Sequence, residues 1–145
     1  MKRNLHLTSL HVILCILTST NQAQGEANKI IFSCNTASGK YVEIGRNGEN
    51  IYYSFGSKKQ TPEIRLEITL AKAKILIESI SGNEISSYIA FTNADFQYAI
   101  VSSINKNAET QEPKHGVLIT RNSTYLGYKA CDPSTVKGSL LDLSD

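Results

Sequence analysis

Residues 40–55, KYVEIGRNGENIYYSF, decide the fold class of this chain. Two runs of alternating apolar and polar residues flank Asn47-Gly48, a dipeptide typical of two-residue β-hairpin turns because both residues tolerate positive φ. The stretch therefore predicts an antiparallel hairpin, with one strand over residues 40–45 and the returning strand over residues 51–55.

Similar alternation recurs on both sides of this hairpin, always between turn signals. The further candidate strands are residues 30–34, 64–70, 86–92, 96–104, 116–121 and 124–130. Neither an internal repeat nor a domain linker interrupts the pattern over residues 26–131. Seven or eight short strands in one unit predict an all-β fold, either an antiparallel sandwich or a small barrel.

Residues 61–82 allow two interpretations. Thr61 followed by Pro62 is typical of a helix start, and apolar residues at helical spacing continue to residue 75. The β-branched residues before Leu70 favour a strand instead. We expect strand, turn and strand here, with residues 71–80 left open between strand and helix.

The first 25 residues have the composition of a secretory signal peptide. Lys2 and Arg3 precede an apolar run over residues 10–17, and small polar residues follow the run. This run is shorter than the roughly 18 apolar residues that a membrane-spanning helix requires. We therefore expect a periplasmic or secreted protein, cleavage within residues 23–27, and no membrane insertion after cleavage.

Export changes the charge balance of the chain. The formal net charge is +2, and Lys2 and Arg3 supply this excess from within the signal peptide. The exported chain is then close to neutral. A neutral chain gives no support to a nucleic-acid partner or to binding at an anionic membrane surface.

Signal cleavage also removes Cys15 and leaves Cys34 and Cys131. An even number of cysteines in an oxidising compartment predicts one disulfide. This bond is expected to join the two ends of the domain and to leave no free thiol for catalysis. Residues 132–145 are rich in small polar residues and predict a flexible tail, whose leucines could dock on the domain or on a partner.

Few residues of the exported chain are suited to catalysis. His115 is its only histidine, because His6 and His11 lie in the signal peptide, and a multi-histidine zinc site is therefore excluded. Neither a Gly-x-Ser-x-Gly nucleophile motif nor a Cys-x-x-Cys redox motif occurs. We predict no catalytic residue, no cofactor and no metal; a hydrolase that uses two carboxylates ranks third among the functional hypotheses.

Tyrosines are the main candidates for contacts with a partner, because they combine an apolar ring with a hydroxyl group. Tyr52 and Tyr53 are consecutive and face opposite sides of one strand, so at least one of them is expected to be exposed. Together with Tyr88 and with His115, from the long polar loop of residues 105–115, they form the predicted partner-binding set. The competing interpretation is that tyrosines fill the core of a chain without tryptophan.

One set of short motifs extends over most of the chain between the two cysteines. The motifs are Cys34, Thr36, Gly39-Lys40, Tyr53-Ser54-Phe55-Gly56, Pro62-Glu63, Ser87-Tyr88, Asn93, Asp95-Phe96, Tyr98, Gly116-Val117 and Cys131. In these residues the chain resembles a group of small secreted proteins of Gram-negative bacteria that generally carry no assigned function. The resemblance implies a periplasmic or secreted β protein with one end-to-end disulfide. Ala94 departs from it, because that pattern has an Asn-Gly-Asp turn.

A looser resemblance is to the periplasmic inhibitors of c-type lysozyme, which are small disulfide-bonded β-barrels. Phe32-Ser33-Cys34 is similar to their aromatic-x-Cys opening strand, and Ser81-Gly82 is similar to their Ser-Gly loop. Asn83-Glu84 stands where these inhibitors have a tyrosine.

The expected function is that of a non-catalytic periplasmic or secreted binding protein with a protein partner. Within this class, an inhibitor or immunity factor for a cell-wall-active enzyme fits export, a disulfide-closed β scaffold and tyrosines with polar neighbours. The alternative is a structural component of envelope or surface assembly that pairs through an edge strand.

Overall fold

The computed structural model describes residues 28–81 and 83–143, without the side chains of residues 78–81. The predicted signal peptide, residues 1–25, and its cleavage site lie outside the described residues. Over the described ranges the chain forms ten β-strands and three short 3₁₀ helices, and no α-helix. No helix in this part of the chain is long and apolar enough to span a membrane.

The strands follow one another along the chain with short connections. They are β1 (Lys29–Asn35), β2 (Tyr41–Asn47), β3 (Asn50–Gly56), β4 (Ile64–Thr69), β5 (Leu76–Ser81), β6 (Glu84–Asn93), β7 (Phe96–Asn105), β8 (Lys114–Arg121), β9 (Thr124–Ala130) and β10 (Lys137–Gly138). The 3₁₀ helices are Leu70–Lys72, Pro133–Thr135 and Leu140–Leu143.

These strands form two five-stranded antiparallel sheets. The first sheet has the order β10-β1-β2-β3-β4 and the second has the order β5-β6-β7-β8-β9. Both sheets contribute to one core, which confirms the predicted all-β fold and fits the sandwich of the two predicted architectures. Ten strands exceed the expected seven or eight, partly because β10 forms within the segment that the sequence assigned to a flexible tail.

The hairpin that decides the fold class is present as β2 and β3. Asn47 pairs with Asn50, so the two turn residues are Gly48 and Glu49 rather than Asn47 and Gly48. Only Gly48 of the turn has a positive φ, of 56°. This conformation suits a turn with glycine at its first central position, and it shifts the turn by one residue from the prediction.

The ambiguous segment after residue 61 is strand, turn and strand, as expected. β4 pairs with β3 along its whole length, and the 3₁₀ helix Leu70–Lys72 leads into β5. The amide of Leu70 donates a hydrogen bond of 2.7 Å to the carbonyl of Glu49, which fixes this turn against the hairpin. Residues 64–81 therefore form no long helix.

The core lies between the two sheets and takes most of its residues from β1, β2 and β3 of the first sheet and β6, β7 and β8 of the second. Its fully buried members include Phe32, Cys34, Val42, Ile44, Ile51, Tyr53, Ile89, Phe91, Ile100 and Val117. Burial of each large apolar side chain stabilises the fold by about 1.5–3 kcal/mol. Many side chains from both sheets therefore share the stabilisation of the core, and no single one of them supplies most of it.

The predicted disulfide joins Cys34 and Cys131, whose Cα atoms are 5.7 Å apart. Cys131 directly follows β9, and its amide donates a hydrogen bond to the carbonyl of His115. An isolated bridge pairs Cys131 with Thr36, just after β1. The disulfide thus connects β1 of the first sheet to the residue directly after β9 of the second sheet.

The segment after Cys131 differs from a flexible tail in its described part, residues 132–143. β10 pairs with β1, and Gly138 lies opposite Phe32. A Cβ atom on Gly138 would lie 1.9 Å from the carbonyl oxygen of Ile31, so only glycine allows this approach. Leu140 is buried to 2% exposure. Because small polar residues surround Gly138 and Leu140 in the sequence, the composition predicted a flexible tail rather than an anchored segment.

Candidate functional site

A pocket of about 470 Å³ lies beside residues 106–113, which connect β7 to β8. We call it the loop pocket. Its lining residues include Glu112, Lys114, His115, Tyr128, Pro133 and Val136. Its volume is within the range of about 300–1,000 Å³ that is typical of small-molecule sites. The long polar loop singled out in the sequence therefore borders a cavity.

Tyr128 forms one wall of this pocket because of a glycine on the neighbouring strand. A Cβ atom at Gly116 would lie 2.3 Å from Cζ and 2.4 Å from the hydroxyl oxygen of Tyr128, so the ring lies across the strand where a side chain is missing. Burial, reinforced by the negative charge of Glu84, raises the pKa of Tyr128. Its hydroxyl therefore stays protonated to a higher pH than that of an unperturbed tyrosine.

His115 belongs to β8 rather than to the loop in which the sequence placed it. Its ring centroid lies 5.4 Å from that of Phe32, which faces the core. Its Nδ1 atom is buried and has no hydrogen-bond partner in the described structure. Desolvation by burial lowers the pKa of His115, so the imidazole is neutral at neutral pH. His115 thus separates the loop pocket from the core.

Tyr52 and Tyr53 do not offer a surface to a partner, which corrects their place in the predicted binding set. Tyr53 lies in the core, with its ring centroid 5.7 Å from that of Phe91. Tyr52 faces outward from the first sheet, yet only 2% of its surface is exposed. The guanidinium of Arg65 lies 4.1 Å above the Tyr52 ring and covers it.

Tyr88 lies on the second sheet and is half-buried. It pairs with Leu76 on β5 and with Val101 on β7. The four predicted partner-binding residues are therefore distributed over separate faces: the outside of the first sheet, the core, the second sheet and the wall of the loop pocket. They do not form one site.

Strand β9 carries exposed apolar residues that were not selected from the sequence. Tyr125 is 63% exposed, Leu126 is 53% exposed and Tyr128 is 42% exposed. β9 is the terminal strand of the second sheet, and six of its seven residues are exposed. In the sequence, Gly116 could have pointed to this strand. An isolated glycine inside a strand indicates that another group approaches it closely, and here that group is the ring of Tyr128.

A bulge in β9 places two of these side chains on the same face. Thr120 pairs with Tyr125 and Ile119 pairs with Gly127, so Leu126 is an extra residue without an opposite partner. In a regular strand, residues three apart point to opposite faces. Because of the bulge, Tyr125 and Tyr128 both lie on the outer face of the sheet. This geometry creates an exposed aromatic face, which we call the β9 face.

The acidic and metal-ligating side chains do not form a metal site in the part of the chain that the structure describes. Among the residues that the structure describes, no group of three or more His, Cys, Asp or Glu side chains is close enough to hold a metal ion. Glu112 and Lys114, at the loop pocket, have no ion-pair partner in the described part of the chain. Both charges are therefore available to a ligand in this pocket.

No protein-family model, curated protein sequence or solved structure matches this chain. The observations on which a function can be based are therefore geometric. They are the β9 face, the loop pocket and the scaffold that holds both of them in place.

Proposed function

We propose that this protein is a non-catalytic periplasmic or secreted binding protein, an inhibitor or immunity factor for a cell-wall-active enzyme. The observation that carries the proposal is the β9 face, where the bulge at Leu126 exposes Tyr125 and Tyr128 side by side. Tyrosine is enriched at protein interfaces, because its ring supplies contact area while its hydroxyl forms hydrogen bonds.

The rigid scaffold supports this proposal. Every residue of β9 except Leu126 pairs with β8, and the residue that follows β9 is held by the disulfide to Cys34. A surface that is already ordered loses little conformational entropy when a partner binds, so more of the contact energy appears as affinity. This gain in affinity matters for an inhibitor, because an inhibitor must stay bound to its enzyme to block it.

The same bulge counts against strand addition at β9, one of the four strands that end the two sheets. An added strand needs a continuous row of backbone donors and acceptors, and a bulge interrupts this row. At β9 we therefore favour recognition by the side chains of the β9 face over strand addition. Light scattering distinguishes the two, because strand addition between copies predicts oligomers that grow with concentration.

An inhibition assay tests the proposed function. Mature protein is added to a panel of peptidoglycan-cleaving enzymes, including c-type lysozyme, and the rate of cell-wall clearing is measured. We expect inhibition of at least one enzyme, and a loss of about tenfold or more in potency for the double variant Tyr125→Ala, Leu126→Ala. Leu141→Ala is the matched control, since Leu141 is as exposed as Leu126 but lies outside β9. No inhibition by the unaltered protein would contradict the proposal.

A further inference from the structure

We propose that the loop pocket binds one ring of an N-acetylated amino sugar, with the sugar stacked on Tyr128. This proposal goes beyond the proposed function and stands without it. It rests on three independent properties of the pocket: a flat aromatic wall, unpaired polar groups and an apolar lining. No catalytic step is implied.

The aromatic wall is the first property. The Tyr128 ring lies across Gly116, so one side of the ring packs on β8 while 42% of the residue remains exposed. A pyranose ring has one face of C–H groups, and this face packs against an aromatic ring by dispersion and hydrophobic contact. A ring fixed against a strand is ordered before the ligand arrives, which reduces the entropy cost of binding.

Polar groups are the second property. Glu112 and Lys114 lie in sequence on either side of Pro113, all three line the pocket, and neither charge is engaged in an ion pair among the described residues. A carboxylate accepts hydrogen bonds and an ammonium donates them, so the pair serves sugar hydroxyl groups, which do both. One charge of each sign also favours a neutral ligand over an anion or a cation.

The apolar lining is the third property. Ala130, Pro133 and Val136 contribute to the pocket beside the disulfide residue Cys131. Val136 packs against the hydrophobic core, which holds this side of the pocket in place. An acetamido group presents a methyl group that packs on such a surface, while its amide N–H and carbonyl need hydrogen bonds from polar groups or water. A hexose without this group would leave part of the apolar lining in contact with water.

An NMR titration of the mature protein tests the proposal. The probes are N-acetylglucosamine and glucose, added separately to ¹⁵N-labelled protein. We expect saturable shifts with N-acetylglucosamine at the amides of Lys114, Tyr128 and Ala130, and clearly weaker binding of glucose. Tyr128→Ala is expected to weaken binding about tenfold, whereas Tyr128→Phe keeps the ring and changes binding little.

Two further variants keep the test decisive. Glu112→Gln changes an exposed side chain and is expected to weaken binding without affecting folding. Tyr41→Ala is the matched control, because Tyr41 lines a different depression on the first sheet, beside Glu43 and Lys58, and is expected to leave sugar binding unchanged. The proposal is overturned if N-acetylglucosamine causes no saturable shift, if glucose binds equally well, or if folded Tyr128→Ala and Glu112→Gln both bind like the unaltered protein.

Discussion

The ring of Tyr52 lies over Gly45, its cross-strand partner on β2. A Cβ atom at Gly45 would lie 2.3 Å from the Tyr52 hydroxyl oxygen and 2.4 Å from Cζ. On the second sheet the Tyr128 ring covers Gly116 in a similar way, but diagonally, because the direct partner of Gly116 is Ala130. Each sheet thus contains a glycine that leaves room for a tyrosine from the adjacent strand, which protects the exposed backbone and increases cross-strand contact.

Gly45→Ala is expected to lower the free energy of unfolding by about 1–3 kcal/mol, because the added methyl group overlaps the Tyr52 ring. Chemical denaturation of the variant measures this change. Gly127→Ala is the matched control, since Gly127 also lies in a strand but has no atom within 4 Å of an added Cβ. Equal stability of Gly45→Ala and the unaltered protein would show that the ring does not lie over Gly45.

Tyr52 is expected to make stability depend on alkaline pH. Burial first, and then the hydrogen bond to Glu43 and its negative charge, raise the pKa of Tyr52 from 10.0 to about 12. A raised folded-state pKa means that this contribution to stability is complete below pH 10 and declines as the pH rises from 10 towards 12. Denaturation measured across this interval should show a shallower decline for Tyr52→Phe than for the unaltered protein. Identical slopes would contradict the assignment.

The Cys34–Cys131 disulfide is expected to contribute strongly to stability. It closes a loop of 97 residues in sequence separation, for which the chain-entropy model gives roughly 4–5 kcal/mol. Replacing both cysteines by serine should lower the melting temperature, and reductant should have no further effect on that variant. Two free thiols in the exported protein, detected by non-reducing mass spectrometry, would rule out the bond.

The docked position of the C-terminal segment is tested by two neighbouring leucines. Leu140→Ala removes a buried side chain and is expected to cost about 2–5 kcal/mol of stability. Leu141→Ala, at a position that is 53% exposed, should change stability by less than about 0.5 kcal/mol. Equal effects of the two substitutions would indicate that Leu140 is not packed on the core.

Local periodicity and turn chemistry accounted for most of the fold. The alternation around Asn47-Gly48 predicted β2 and β3, and the two remaining cysteines predicted the disulfide. The exact turn could not be predicted, because either Asn47-Gly48 or Gly48-Glu49 suits a two-residue hairpin turn. The register of β3 also depends on its pairing with β4, whose residues lie elsewhere in the sequence. The sequence indicated that leucines of residues 132–145 could dock, but not that Leu140 is the buried one, since its burial depends on the space left between the two sheets.

Less of the candidate site than of the fold could be predicted from the sequence. Tyr52 and Tyr53 occupy opposite faces of one strand, as predicted, but Arg65 covers the outward ring, and this contact crosses from β3 to β4. The β9 face depends on the bulge at Leu126, which is a property of strand register rather than of composition. Exposure of a tyrosine therefore could not be inferred from its own strand alone.

We propose that a cell-wall-active enzyme binds the β9 face. Hydrogen–deuterium exchange of the mature protein, with and without an enzyme that it inhibits, tests this claim most directly. We predict slower exchange for residues 124–130 in the complex, because the bound enzyme excludes water from this edge of the second sheet. Unchanged exchange over residues 124–130, or protection confined to the first sheet, would contradict it.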